Sequence, residues 1–233
     1  MGYIVDLAAV ILGQSERRAE TIAQNLSNSV TPGFKRSIPF SSLVDRAAIS
    51  SQDASNISVA TDTRPGKLVK TGNPVDMAIS GSGYFAVSKD GVIGYTRDGR
   101  FSLAEDGSLI NSQGGTLQGE DGADITILSS TFSVKEDGVI YENGIRTAKI
   151  GIFNPLRDQN QLSNNAAVGQ FAASDPKEYT VQQGWYEASN VTSGDEMVML
   201  METLRRAESG QRIMNVYDDL MGRAISAFGE SGR

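Results

Sequence analysis

Two stretches with the spacing of an amphipathic helix stand at opposite ends of this chain, and nothing between them shares that spacing. From about Tyr3 to Leu26, the residues Val5, Ala8, Leu12, Ser15, Ala19, Ile22 and Leu26 recur in alternating steps of three and four. Near the other end, Met197, Leu200, Leu204, Ala207, Gln211, Met214, Tyr217, Met221, Ile225 and Phe228 do the same. The first seam is narrow and rich in small residues, so its helix is weak alone and orders only when packed. The chain between must therefore fold so as to bring its ends together. The expected fold class is α+β: an antiparallel β-rich central domain inserted between long N- and C-terminal helices that pack as an α-helical coiled coil.

Local signals mark where these helices stop and start. Asn28 and Ser29 are poor helix residues, and Pro32-Gly33 ends any helix and turns the chain. Ser193-Gly194-Asp195-Glu196 fits a capping box, with Ser193 as N-cap and Glu196 three residues on. The two acids also suit the positive end of a helix dipole. At ~1.5 Å per residue the last helix would be roughly 50 Å long, too long for the edge of a small β-domain. Gly210 interrupts it at a cost of about 1 kcal/mol against Ala. The cluster Met197, Met199, Met201, Met214 and Met221 reads either as ordinary core or as an adaptable surface for non-identical neighbours.

Between the helices the texture changes twice. Residues 31–72 lose periodicity and favour Ser, Thr, Asp and Asn, with Pro32, Pro39 and Pro65 and apolar islands at Phe40–Val44 and Ile57–Val59. From Asn73 to about Tyr179, Asp-Gly recurs at 90–91, 98–99, 106–107, 121–122 and 137–138, and Asn-Gly at 143–144. These dipeptides favour the tight turns that join antiparallel strands. Gly91, Gly99, Gly107 and Gly115 fall at eight-residue intervals, as a β-meander requires. The expected division is a terminal-helix assembly domain (1–30 plus 193–233), an extended linker and arm (31–72 plus 180–192), and an antiparallel β-domain (73–179).

Composition narrows the function. The net charge of −7 and the scatter of 21 Lys and Arg argue against nucleic acid and against an anionic membrane surface. No apolar run approaches the ~20 residues of a membrane span, so no membrane insertion is expected. Without a single Cys or His there is no thiol nucleophile, disulfide, imidazole base or His-ligated zinc. Gly81-Ser-Gly83-Tyr-Phe-Ala86 matches a dinucleotide fingerprint, but the residues after it read as another strand, so a hairpin or bulge is expected. The Asp-Gly loops miss the calcium pattern, with Ser102 and Ala104 at ligand positions before Gly107. No carboxylate pair stands out for hydrolysis. No cofactor, metal or catalytic residue is expected. Ile4–Leu12 lacks a basic leader and a small-residue cleavage site, and Asp6 interrupts it, so no cleaved signal peptide is expected.

Three stretches, in this order, resemble the axial proteins of the bacterial flagellum, and its rod proteins in particular. The first is Asn25-Leu-Ser-Asn28 followed by Thr31-Pro-Gly-Phe-Lys35. The second is Gly72-Asn-Pro-Val-Asp-Met-Ala-Ile-Ser-Gly-Ser-Gly-Tyr-Phe-Ala-Val87 with Tyr95-Thr-Arg-Asp-Gly-Arg-Phe101. The third is Gln183-Gly-Trp-Tyr-Glu-Ala-Ser-Asn-Val191 with Glu196-Met-Val198. The resemblance implies a non-enzymatic structural subunit that self-assembles through its terminal helices into the tubular drive shaft. The short chain and Phe85-Ala-Val87 favour the proximal rod; a distal rod or hook-type subunit is the alternative, and a β-rich secreted enzyme a further one. Implied partners are proximal and distal rod subunits, copies of the same chain, and the flagellar type III export apparatus. The implied location is the basal-body rod crossing the periplasm. Residues expected to carry assembly and packing are Leu12, Ile22, Asn25, Leu26, Asn28, Gly33, Phe34, Gly184, Ser189, Asn190, Val191, Met197, Leu200, Leu204, Met214 and Met221.

Overall fold

The computed structural model describes residues 3–41, 57–129, 131–155, 171–173 and 178–230. These fall into two compact units, one within residues 1–27, 37–60 and 192–233, the other within 28–36 and 61–191. Residues 42–44 of the expected island Phe40–Val44 lie outside the described residues, as does the side chain of Phe228.

The first unit holds α1 (Tyr3–Ser27), β1 (Ser37–Ser41), β2 (Ile57–Thr61, all but its last residue) and α2 (Ser193–Glu230). β1 and β2 pair, and α1 packs on both α2 and β1. On α1, Ala8, Ser15 and Ile22 are buried as the periodicity predicts, joined by Thr21 and Asn25, while Leu12 stays exposed. On α2 the seam starts one residue earlier than expected. Glu196, Thr203 and Gly210 are buried, whereas Met197, Leu204 and Gln211 are exposed. Ala207, Met214, Tyr217 and Met221 are half-buried, as is Leu200, while Ile225 is exposed.

Gly210 faces α1: a Cβ there would stand at ordinary contact distance, 3.4 Å from Ile11 Cγ2 and 3.6 Å from the Ala8 carbonyl oxygen. Buried hydroxyls are tolerated because each donates within its own helix: Ser15 Oγ to Ile11 O (2.8 Å) and Thr203 Oγ1 to Met199 O (2.7 Å). The start of α2 also differs from the capping box. Glu196 N–H donates to Thr192 O (3.1 Å), which makes Thr192 the N-cap in place of Ser193.

The second unit holds β3 (Leu68–Lys70), β4 (Met77–Gly81), β5 (Tyr84–Lys89), β6 (Val92–Thr96), β7 (Phe101–Leu103), β8 (Leu109–Asn111) and β9 (Thr116–Leu117). It continues with β10 (Phe132–Val134), β11 (Val139–Glu142), β12 (Ile145–Lys149), β13 (Ile152–Pro155), β14 (Phe171–Ala173), β15 (Tyr179–Gln183) and β16 (Trp185–Glu187). One sheet runs β14-β13-β5-β9-β8-β7 with β6 also on β5; a second runs β10-β11-β12; β15 pairs with β4 and β16 with β3. The core joins Met77, Ile79, Phe85, Leu109, Leu117, Ile125 and their neighbours, with Phe85 and Phe101 edge to face at 5.6 Å.

Asp90-Gly91 and Asn143-Gly144 form the expected tight turns, both residues of each pair being left-handed (φ 52° and 77°, 50° and 82°). The meander itself breaks at Asp98-Gly99. β6 and β7 do not pair, because β9 lies between β5 and β8. Gly99 instead lies against β4: Met77 N–H donates to its carbonyl (2.8 Å), and a Cβ there would sit 1.5 Å from Met77 O. The Gly81–Gly83 reversal opens no helix, and it makes no hairpin either, since β4 and β5 pair with different strands. Strands β1–β3, β15 and β16 fall in or across stretches expected as linker.

Candidate functional site

Pro32-Gly33 reverses the chain after α1, and Gly33 is irreplaceable there. Its φ is +67°, and a Cβ would lie 2.1 Å from Asp98 N and 2.3 Å from the Arg97 carbonyl carbon. Its N–H donates to Glu187 O (2.7 Å). Two residues on, Lys35 Nζ donates to Glu187 Oε1 (2.5 Å) and to Arg64 O (2.9 Å). Glu187 Oε1 also accepts the Gly66 N–H (2.7 Å), and Oε2 accepts Arg97 Nη1 (3.1 Å). Arg97 in turn donates to Ile79 O (3.1 Å) and Gly81 O (2.7 Å), with its guanidinium 5.3 Å from the centre of the Tyr84 ring.

The three charged side chains are 7%, 6% and 0% exposed for Lys35, Arg97 and Glu187. Two cations thus share one buried anion, and the carbonyl oxygens of Arg64, Ile79 and Gly81 supply the remaining negative potential. Burial pushes the Lys35 ammonium below its usual pKa, against the opposing pull of its hydrogen bond to Glu187. Burial likewise raises the Tyr84 phenol.

Asn190 ties the same segments together through backbone. Its Oδ1 accepts the Arg36 N–H (2.7 Å), and its Nδ2 donates to Asp62 O and Arg64 O (both 3.0 Å). Its own N–H donates to Phe34 O (3.3 Å), while Asp62 N–H reaches Arg36 O (2.8 Å). Gly184, at φ +77°, donates to Asp76 O (2.7 Å) and accepts from Thr71 N and Gly72 N. Ser189 Oγ accepts from Val191 N (3.2 Å), and Asn28 Oδ1 accepts from Thr31 Oγ1 (3.1 Å). This is a welded junction of residues 33–36, 62–67, 96–98 and 184–190, with most of its polar groups engaged in holding backbone; among the described residues Arg97 Nε is buried without a hydrogen-bond partner.

The first unit has a counterpart. Asn25 Oδ1 accepts the Ser37 N–H and Asn25 Nδ2 donates to Ser37 O, both at 2.8 Å, so the side chain imitates a neighbouring strand for β1. Nδ2 also reaches Glu196 Oε2 at 3.2 Å. Asn25 and Glu196 are wholly buried, and Ser37 nearly so.

The sequence-predicted residues therefore separate into groups. Gly33, Phe34, Gly184 and Asn190 meet in the junction. Ile22 and Asn25 lie buried on α1, with Leu26, Leu200, Met214 and Met221 half-buried, while Leu12, Met197 and Leu204 lie off the seam. Sequence reasoning missed Lys35, Arg97, Glu187 and Asp62 as a set. A signal existed: each of the three rod-like stretches contains one charge of the buried trio.

Two family models match this chain. The flagellar hook protein FlgE/F/G D1 domain covers residues 78–142, including Arg97, and the flagellar basal body rod FlgEFG protein C-terminal domain covers residues 182–227, including Glu187 and Asn190. The flagellar basal-body rod protein FlgF of Mesorhizobium japonicum is 30% identical over 223 residues, 92% of each chain. The chain belongs to the FlgF family of flagellar basal-body rod proteins. Its similarity extends to the FlgF proteins of Rhizobium meliloti (29% identical, 93% of each chain) and Escherichia coli (26%, 96% of this chain and 97% of the other). In this FlgF-family chain the stretch Asn25–Lys35 lies outside both matched domains. Lys35 nonetheless bonds directly to Glu187, inside the C-terminal one.

Proposed function

We propose that the chain is a structural subunit of the proximal rod of the flagellar basal body, assembling through its terminal helices and catalysing no reaction. One observation carries this reading. Apart from Ile22, the buried positions of α1 and α2 are small or polar, while Leu7, Leu12, Met197, Met201, Leu204, Val216, Leu220 and Ile225 stand exposed on the same helices. Exposed apolar surface of this extent on paired helices requires neighbours. Burying each large side chain against a neighbour contributes roughly 1.5–3 kcal/mol to docking.

In this reading 1–30 plus 193–233 form the assembly body and bundle as a coiled coil with neighbouring helices. Residues 31–72 plus 180–192 serve as arm, and 73–179 as the β-domain. The neighbours are other proximal and distal rod subunits and further copies of this chain.

Leu204→Asp provides the test. Leu204 is exposed in the single chain, so the variant keeps its fold and helix content. Incorporation into isolated basal bodies, and with it motility, is expected to fall to background. Ile22→Asp, by contrast, removes a buried side chain and melts the helix pair itself. Normal incorporation of Leu204→Asp would refute the proposal.

A further inference from the structure

α1, α2 and β1 enclose a groove of about 510 Å³ whose lining is unlike the helix seam. Its apolar wall is Ile11, Pro39 and Ile213, and its rim carries Arg18, Arg205 and Arg206. Among the described residues no carboxylate pairs with these three arginines. A basic, apolar-floored groove accepts an apolar ridge that carries an acid.

The same helix offers such a ridge elsewhere. At 3.6 residues per turn, Met197, Met201, Leu204 and Glu208 share one face of α2, about 160° around the axis from the face bearing Arg206 and Ile213. Met197, Met201 and Leu204 are 49%, 54% and 50% exposed. Glu208 is exposed beside them and pairs with no cation among the described residues. The apolar ridge and the apolar wall bearing Ile213 lie on opposite flanks of α2, so a single chain cannot seat its own ridge in its own groove.

We propose that the groove receives the Met197–Met201–Leu204–Glu208 face of α2 from a second copy of this chain. The inference rests on the structural-subunit reading above and assigns that reading a specific contact. The apolar ridge buries on Ile11, Pro39 and Ile213 while Glu208 meets the arginine rim. The contact is heterologous, because the surface given differs from the surface received. Each copy therefore gives one ridge and takes one, and the contact repeats around a ring or along a helix.

The chain contains no cysteine, which makes cross-linking direct. Cells carrying only the Leu204→Cys, Ile213→Cys double variant would have their basal bodies isolated and mildly oxidised. A ladder of disulfide-linked multimers of this chain is expected, with no ladder from either single variant. Basal bodies that contain the double variant but give no ladder, or a cross-link from residue 213 to a different subunit, overturn the contact while leaving the subunit reading intact. Absence of the wild-type chain from basal bodies overturns both. Should the double variant alone fail to incorporate, charge exchange decides. Arg206→Glu is expected to lower incorporation at least tenfold, and adding Glu208→Arg to restore it; failure of the exchange to restore overturns the contact.

Discussion

Replacing Glu187 with Gln should destabilise the β-rich unit more than any other single isosteric change. Gln keeps the volume and one acceptor oxygen, so Lys35 or Arg97 can still be met, but the amide NH2 then faces the other cation. Both cations are almost fully enclosed, and the carbonyls around Arg97 are already engaged with its guanidinium. Removing one partner of a buried ionic group typically costs ~3–5 kcal/mol, because the charge left behind cannot regain water. With a urea m-value of ~2 kcal/mol/M, the midpoint should fall by about 2 M. The single tryptophan, Trp185, sits two residues from Glu187 on β16, with Lys70 Nζ 5.9 Å from its ring centroid, and so reports unfolding of this region by fluorescence. Glu187→Leu combined with Lys35→Met and Arg97→Met should recover much of the loss, since an apolar replacement of the whole cluster leaves no orphaned charge. A midpoint shift below about 0.5 M for Glu187→Gln, equivalent to ~1 kcal/mol, would show that the cluster is solvated or dispensable.

Gly33→Ala forces a Cβ to 2.1 Å from Asp98 N at φ +67°, so the junction must open; Trp185 fluorescence and proteolysis after Lys35 should both report it. Asn25→Ala strands the buried N–H and carbonyl of Ser37, and at ~1–3 kcal/mol for each unsatisfied group the helix melt followed by circular dichroism should drop by several degrees. For pH, Arg64 holds the Asp62 carboxyl below its ordinary 3.8, so its contribution is present above that value and lost as pH falls through the lowered one; Asp62→Asn should remove that part of the acid sensitivity. Burial raises Asp98, so its contribution has the opposite sign, falling as pH rises above 3.8; Asp98→Asn should therefore gain stability relative to wild type near neutrality, measured by urea titration at each pH.

Features with a local cause could be read directly from the residues. Pro32-Gly33 ends α1 because ring and glycine geometry act within a turn, and Asp90-Gly91 turns the chain because two consecutive left-handed residues suit that pair. The phase of α2 could not be read in the same way. Periodicity reasoning follows large apolar side chains, and here Leu204 and Met197 face outward while Thr203, Gly210 and Glu196 fill the contact. A helix that packs on two different neighbours carries two superposed stripes, and the sequence does not say which stripe belongs to the same chain. The meander failed at Gly99 for a different reason: glycine marks close backbone approach as readily as it marks a turn. The ionic junction has no periodicity at all, because its charges come from separate stretches of chain.

That separation governs when the junction can form. Lys35 meets its carboxylate across 152 residues and Arg97 across 90. Closing such long loops is entropically slow, so these bonds form late in folding, after the local hairpins. Until residue 187 arrives, Lys35 and Arg97 keep their water and the segments they anchor stay apart. A chain cut short before β16 therefore leaves Lys35 and Arg97 in water, and the junction closes only once that strand is present.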